Sequence, residues 1–253
     1  MHLVRERAFA IQGLTPLALP KPQAPRLLRV SVGGQMIWQG AVGASSYDVQ
    51  RSEKARGPWT TVGTGISDAQ VQYRPLFADE SVQPGKTYHY RVVARNLSGT
   101  SEPSNVAGPV KMTCRTLVDE LWNDSRIFAK EGNLQFVDNQ ARKFKEDCHR
   151  LAGQNKTAII YYAPDGIQGV RAFLFSQSDQ PAVRILFSKD SRAFTPVEPA
   201  VARTITNGEQ AYGFWKALLH SAKPAEPDCN YVKIEFVAEA QLSRVEIDHG
   251  RAE

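Results

Sequence analysis

A chain of 253 residues with 42% hydrophobic and 23% charged residues is long enough for two globular cores at roughly 100 to 200 residues each, and it has no apolar run near the ~20 residues of a membrane-spanning helix. The formal net charge is +5, yet residues 1–110 carry 12 Lys and Arg against 7 Asp and Glu, while residues 111–253 carry 19 of each. A scattered excess of this size does not build the clustered basic surface that tracks phosphates, so neither nucleic acid nor a membrane is an expected partner.

The first 25 residues, MHLVRERAFAIQGLTPLALPKPQAP, place Leu3, Val4, Ala8 and Ile11 on one face of a short helix, which Pro16, Pro20, Pro22 and Pro25 stop. Arg5, Glu6 and Arg7 are followed only by AFAI, too short for the apolar region of a secretory signal. From Arg26 to Val110 helical periodicity disappears. RLLRVSV, QMIWQG, SYDVQRS, WTTVGT, VQYRPLF and TYHYRVVARN read as short strands. Gly33-Gly34, Gly40, Gly57-Pro58 and Pro84-Gly85 supply turns between them. About seven strands in this length make a small β-sandwich.

Trp38, Tyr47 and the run PGKTYHYRVVARNLSGTSEPSN give this stretch its resemblance to a fibronectin type III domain over residues 26–110. The resemblance implies that Trp38 is the core tryptophan and that Tyr88 is the tyrosine corner, its ring packed and its hydroxyl bonded to upstream backbone. Val82 stands where the family usually has Leu.

Residues 111–253 again read as strands: RIFAK, RKFKEDCHRL, KTAIIYYA, GVRAFLFS, VRILFS, AYGFWKALLHS, YVKIEFV and LSRVEIDH. Val232, Ile234 and Phe236 alternate, as do Leu242, Val245 and Ile247 after a shift of register. LVDELW reads as a short helix or turn. Eight or more strands predict a jelly roll of two packed antiparallel sheets, so the whole chain is expected to be all-β, two sandwiches in series.

FSKDSRAFTPV, YGFWK and YVKIEFVAEAQLSRVEIDHG resemble the galactose-binding-like jelly rolls that include many carbohydrate-binding modules. LVDELWNDSRIFAKEGNLQFVDNQ resembles the opening of such domains in bacterial mannanase-like glycoside hydrolases. Those enzymes often carry a catalytic barrel, a type III domain and a sandwich in that order. The resemblance therefore implies that residues 1–25 are the remnant of an upstream domain with its Pro-rich linker, and that the chain is a non-catalytic accessory region. It further implies a glycoside hydrolase catalytic domain as partner, a plant-type polysaccharide such as mannan as ligand, and a secreted or cell-envelope location.

The residues themselves offer no catalytic pattern. GxSxG, HExxH and GxxxxGK[ST] are absent, and the five histidines are scattered. Glu146-Asp147 and Glu246/Asp248 are close in sequence but read as solvated strand or turn positions. Cys114, Cys148 and Cys229 show no zinc spacing, leaving either one disulfide and a free thiol or three thiols.

Sugar binding needs an aromatic face for the C–H side of a pyranose and polar groups for its hydroxyls. Tyr212, Trp215 and Lys216 form the densest such stretch, with Tyr162 and Trp122 as further candidates. Each aromatic has a competing reading as core or cap, and if all of them pack inward the two sandwiches are structural modules that bind no sugar. Jelly rolls of this type often hold a structural calcium ion, which the resemblance assigns to the polar loops carrying Asp119, Asp124, Asp138 and Asn139.

Overall fold

The computed structural model describes residues 19–68, 75–144, 149–177, 180–205 and 215–251. The expected features at Leu3, Val4 and Ile11, at Glu146-Asp147 and Cys148, and at Tyr212 lie outside them. Among the described residues there is one short 3₁₀ helix and no α-helix. None is long and apolar enough to cross a membrane.

The first sandwich is built from β1 (Arg26–Val30), β2 (Gln35–Gln39), β3 (Ser46–Ser52), β4 (Thr60–Ile66), β5 (Phe77–Ala78), β6 (Thr87–Asn96), β7 (Gly99–Thr100) and β8 (Ala107–Lys111). One sheet has the order β1-β2-β5, the other β4-β3-β6-β7 with β8 also on β6. This is a fibronectin type III sandwich. Alternation makes it: Tyr88, Tyr90, Val92 and Ala94 of β6 point inward and meet Trp38, Tyr47, Val49 and Met112 in one core. The Tyr47 ring packs on Trp38 at 5.4 Å, and its hydroxyl donates to Asp68 while accepting from the Ala41 N–H.

Tyr88 is buried as expected, under the Arg51 guanidinium at 4.5 Å. The hydroxyl that anchors this strand to a loop belongs instead to Tyr90, which donates to Asp79 at 3.1 Å. Asp79, buried at the end of β5, also takes Arg51 and the Ser81 N–H and hydroxyl. The adjacent carboxylate thus draws in the next inward tyrosine. Of the described residues of VQYRPLF, Phe77 is seen as strand and continues into Ala78, with residues 69–74 outside the described set.

The second sandwich contains β9 (Arg115–Asp119), β10 (Ala129–Glu131), β11 (Gln135–Val137), β12 (Arg150–Gly153), β13 (Thr157–Tyr162) and β14 (Ile167–Ser176). It continues with β15 (Val183–Ser188), β16 (Thr195–Val197), β17 (Ala200–Ile205), β18 (Lys216–Ala222), β19 (Tyr231–Phe236) and β20 (Ala240–His249). A five-stranded sheet, β10-β13-β19-β15-β16, packs on a seven-stranded one, β11-β12-β20-β14-β18-β17 with β9 on β20. All pairs are antiparallel, giving a jelly-roll sandwich. Ile159, Tyr161, Ile185, Val232, Ile234 and Phe236 face Val170, Ala172, Leu174, Leu242, Val245 and Ile247 across one core. The register shift read between Leu242 and Val245 is a bulge: Leu242 pairs with Leu174 but Arg244 with Phe173, leaving Ser243 extra.

Two local readings are corrected. LVDELW is neither helix nor turn through Asp119. Its first half is the end of β9, because pairing with β20 satisfies its backbone and tertiary pairing overrides local propensity. The strand ends where the Asp119 carboxylate accepts the Leu121 N–H at 2.8 Å and Leu121 takes a φ of 56°. In RKFKEDCHRL, Arg142, Lys143 and Phe144 belong to the 3₁₀ helix Ala141–Phe144, and Arg150 opens β12. Phe144 is drawn onto Phe175 of β14, ring to ring at 5.4 Å, which curls this segment over the sheet.

Candidate functional site

The outer face of the seven-stranded sheet is occupied. Arg171, Arg244, Glu246 and Asp248 point away from the core, on strands whose neighbours Val170, Ala172, Val245 and Ile247 point into it. Arg171 pairs with Glu246 at 2.7 Å and Asp248 at 2.6 Å, and Arg244 pairs with Glu246 at 2.7 Å and with Glu120. The first sandwich sits on this network. Arg171 reaches Gln35, Arg244 donates to the Pro75 carbonyl, and Arg126 makes a two-oxygen pair with Glu80 at 2.8 and 2.9 Å. Gly33 comes so close to Thr116 and Cys114 that a Cβ would collide with the Thr116 hydroxyl. Arg244 and Glu246 are each 1% exposed. Burial alone lowers the Arg171 pKa, but Asp248 and Glu246 outweigh it, so the guanidinium is charged throughout the accessible range.

Another part of that face lies under the 3₁₀ helix. Phe144 contacts Phe175 and Trp215, the latter at 5.2 Å, and the Arg150 guanidinium lies 4.1 Å over Phe144. Trp215 is therefore half-buried, packed at the edge of a small satellite core of Phe144, Phe175 and Ala217. Lys216, next to it, opens β18 and is half-buried.

The five-stranded sheet is different. Tyr161 points inward, so Tyr162 points out, directly opposite Tyr231 across the β13–β19 pair. Their ring centroids are 5.0 Å apart. Phe128, whose N–H donates to the Ile160 carbonyl, folds its ring over both, at 5.2 Å from Tyr231 and 6.4 Å from Tyr162. Phe128 is 55% and Tyr162 44% exposed, and Tyr231 is half-buried. Further along the same face Lys233 pairs with Glu131 at 2.5 Å and lies 5.8 Å over the Phe194 ring, and Arg184 pairs with Glu235 at 2.8 Å. Beside this face Ser188, which pairs with Tyr231, borders a cleft of about 320 Å³ bounded also by Lys189, Asp190, Glu226 and Cys229.

Of the expected sugar-contacting residues that the structure describes, Tyr162 alone joins this cluster. Trp122 is 58% exposed but stands elsewhere, its ring 5.2 Å from His149. Phe128 and Tyr231 are the members sequence reasoning missed. Tyr231 opens the alternating run Val232, Ile234, Phe236 and so had a readable outward assignment. Phe128 lies in RIFAK, read as a strand, but nothing in that stretch links it to Tyr162 or Tyr231.

Two of the carboxylates assigned to calcium have other partners. Asp119 is buried with its oxygens accepting the Leu121 N–H and the Tyr161 hydroxyl, at 2.8 and 2.9 Å. Burial raises its pKa despite those donors, and burial likewise pushes the Tyr161 phenol far up. Asp124 is spoken for by the Lys130 ammonium at 2.6 Å, a charge that would repel a cation. Asp138 is exposed, and the carbonyl of Asn139 accepts from Arg150. Among the described residues no three His, Cys, Asp or Glu side chains converge as a metal group. Cys114 and Cys229 are free, buried thiols, and burial raises the pKa of each.

No protein-family model matches the chain. Among solved structures, an Fn3-like protein from Clostridium thermocellum shares 31% identity over 36% of this chain and 91% of its own, with a TM-score of 0.28. A family 6 carbohydrate-binding module shares 10% identity over 54% of this chain and 94% of its own, with a TM-score of 0.33. The exo-beta-1,3-galactanase of Phanerochaete chrysosporium, crystallised with galactose, shares 10% over 91% of this chain, which spans 58% of that enzyme, with a TM-score of 0.32. These likenesses are partial, and the two-sandwich fold stands on the strand orders and separate cores described above.

Proposed function

We propose that the chain is a non-catalytic accessory region of a secreted or cell-envelope polysaccharide-degrading enzyme, in which the type III sandwich carries a sugar-binding jelly roll. The observation that carries this is the exposed Phe128–Tyr162–Tyr231 cluster beside the Glu131–Lys233 and Glu235–Arg184 rows. Rings supply an apolar face for the C–H side of a sugar, and the carboxylates retain acceptor positions for its hydroxyls, since each can take about four hydrogen bonds. The docking of the first sandwich on part of the seven-stranded sheet favours the same assignment. Mannan as the polymer and a mannanase-like catalytic domain as the partner follow from the sequence resemblance and belong to this proposal.

The test is calorimetry and affinity electrophoresis of the whole chain with mannan, glucomannan, xylan and cellulose. Retention or heat with at least one, lost in Tyr231→Ala, is the expected result, together with no release of reducing sugar. A second reading, two structural modules that bind no sugar, is favoured by the packing of Trp215 against Phe144 and by the buried ion network between the sandwiches. Silence across the panel would select it.

A further inference from the structure

We infer that the five-stranded face takes a single, uncharged glycan chain in solution, and neither a crystalline polysaccharide surface nor a uronate polymer; this rests on the sugar-binding reading above. A crystalline face presents its sugar rings in one plane, and a receptor for it needs aromatic rings that are themselves coplanar. Here Tyr162 and Tyr231 are inclined at 44°, Phe128 and Tyr162 at 46°, and Phe128 and Tyr231 at 67°. No two of the three can lie flat on one surface together. Their centroids also fall within 6.4 Å of one another, a spacing typical of rings packed on each other, so the cluster is a compact knob that meets one sugar residue and not a plane of them.

Charge selects between neutral and acidic chains. Each cation on this face has its own carboxylate, Lys233 with Glu131 and Arg184 with Glu235, and the neighbouring Lys189 is held by Glu226 at 3.1 Å. A uronate would have to displace one of these carboxylates and leave it unpaired beside the incoming charge. A neutral chain needs no such exchange, because its hydroxyls donate to acceptor positions that the ion pairs leave open. The position of the pairs, along the sheet from the rings, gives the chain a track on which successive residues find polar partners.

The whole chain is titrated calorimetrically with soluble manno-, gluco- and xylo-oligosaccharides and with polygalacturonate, and is tested for co-sedimentation with crystalline cellulose. The expected result is binding to a soluble neutral oligosaccharide whose affinity changes less than about twofold between about 0.1 M and about 1 M salt, where exposed charges are screened. Tyr231→Ala should weaken it about tenfold or more, while Trp215→Ala, on the covered face, leaves it unchanged. Co-sedimentation with cellulose in the absence of soluble binding would overturn the inference and keep sugar binding. So would polygalacturonate binding that weakens with salt. Silence with every ligand would overturn sugar binding itself, and the inference with it.

Discussion

The two outer faces of the jelly roll are made by the same strand alternation and have opposite fates. On the seven-stranded sheet the outward positions are Arg171, Arg244, Glu246 and Asp248, and the first sandwich buries Arg244 and Glu246 and half-buries the other two. On the five-stranded sheet the outward positions are Tyr162, Tyr231, Lys233 and Arg184; the Tyr162 ring stays open, as does that of Phe128 beside it, and Tyr231 is half-buried. Polarity in the sequence is thus a poor guide to exposure when a second domain docks. Charged strand positions became an interface because each found an opposite charge, while aromatic positions that would ordinarily pack away remained at the surface.

The contrast between the faces is most severely tested at Glu246. Glu246→Ala takes from Arg171 and Arg244 the buried carboxylate they share, leaving Arg171 with Asp248 and Arg244 with Glu120, and should cost about 3 kcal/mol, the lower end for breaking a buried pair, read as a lower urea midpoint of the whole chain. The folded fraction should keep its sugar affinity. A loss below about 1 kcal/mol would mean that the network does not hold the covered face.

Acid probes the covered sheet from inside the sandwich. His220 is fully buried on β18, and burial drives its pKa down to about 4 from the usual 6.5. Its folded form binds a proton more weakly than the unfolded chain, so the stability it permits is complete above about pH 6.5 and is lost as pH falls toward about 4, by about 3 kcal/mol. His249, also lowered by burial, acts in the same direction, whereas the raised pKa of Asp119 opposes both. Urea midpoints of the wild type and His220→Leu between about pH 7 and about pH 4 should show a shallower fall in the variant. Identical slopes would remove His220 as the cause.

Trp215→Ala should cost about 2 kcal/mol of stability by emptying the satellite core under Phe144, with no change in glycan affinity. Lost affinity without lost stability would move the site to the covered face. Gly33→Ala, which drives a methyl into Thr116, should cost about 1 to 2 kcal/mol by prising the sandwiches apart. Smallest of all, Arg184→Ala should change stability by less than about 1 kcal/mol, as exposed ion pairs do, and weaken glycan binding a few fold.

Much of the fold is legible in the residue pattern. Period-two alternation places Tyr47, Val49, Tyr90 and Val92 in one core and Val232, Ile234 and Phe236 in the other, and even the bulge at Ser243 shows as a break in the spacing of Leu242, Val245 and Ile247. The site is less legible. Tyr162 reads as an outward aromatic, but Trp215 and Trp122 are equally aromatic and equally near polar residues, and nothing local separates them. Asp119, a plausible oxygen ligand in a loop, is committed to Leu121 and Tyr161.

Residue order alone makes the chain all-β, divides it into two sandwiches, and assigns the apolar side of most strands, because those properties depend on neighbours two residues apart. Which apolar and charged sides are covered is a matter of tertiary assembly. Phe128 reaches Tyr162 and Tyr231 from a separate strand, and Gln35 and Pro75 meet Arg171 and Arg244 across 136 and 169 residues of chain. Contacts at that separation depend on how the sheets stack and dock, and no local pattern of residues encodes them.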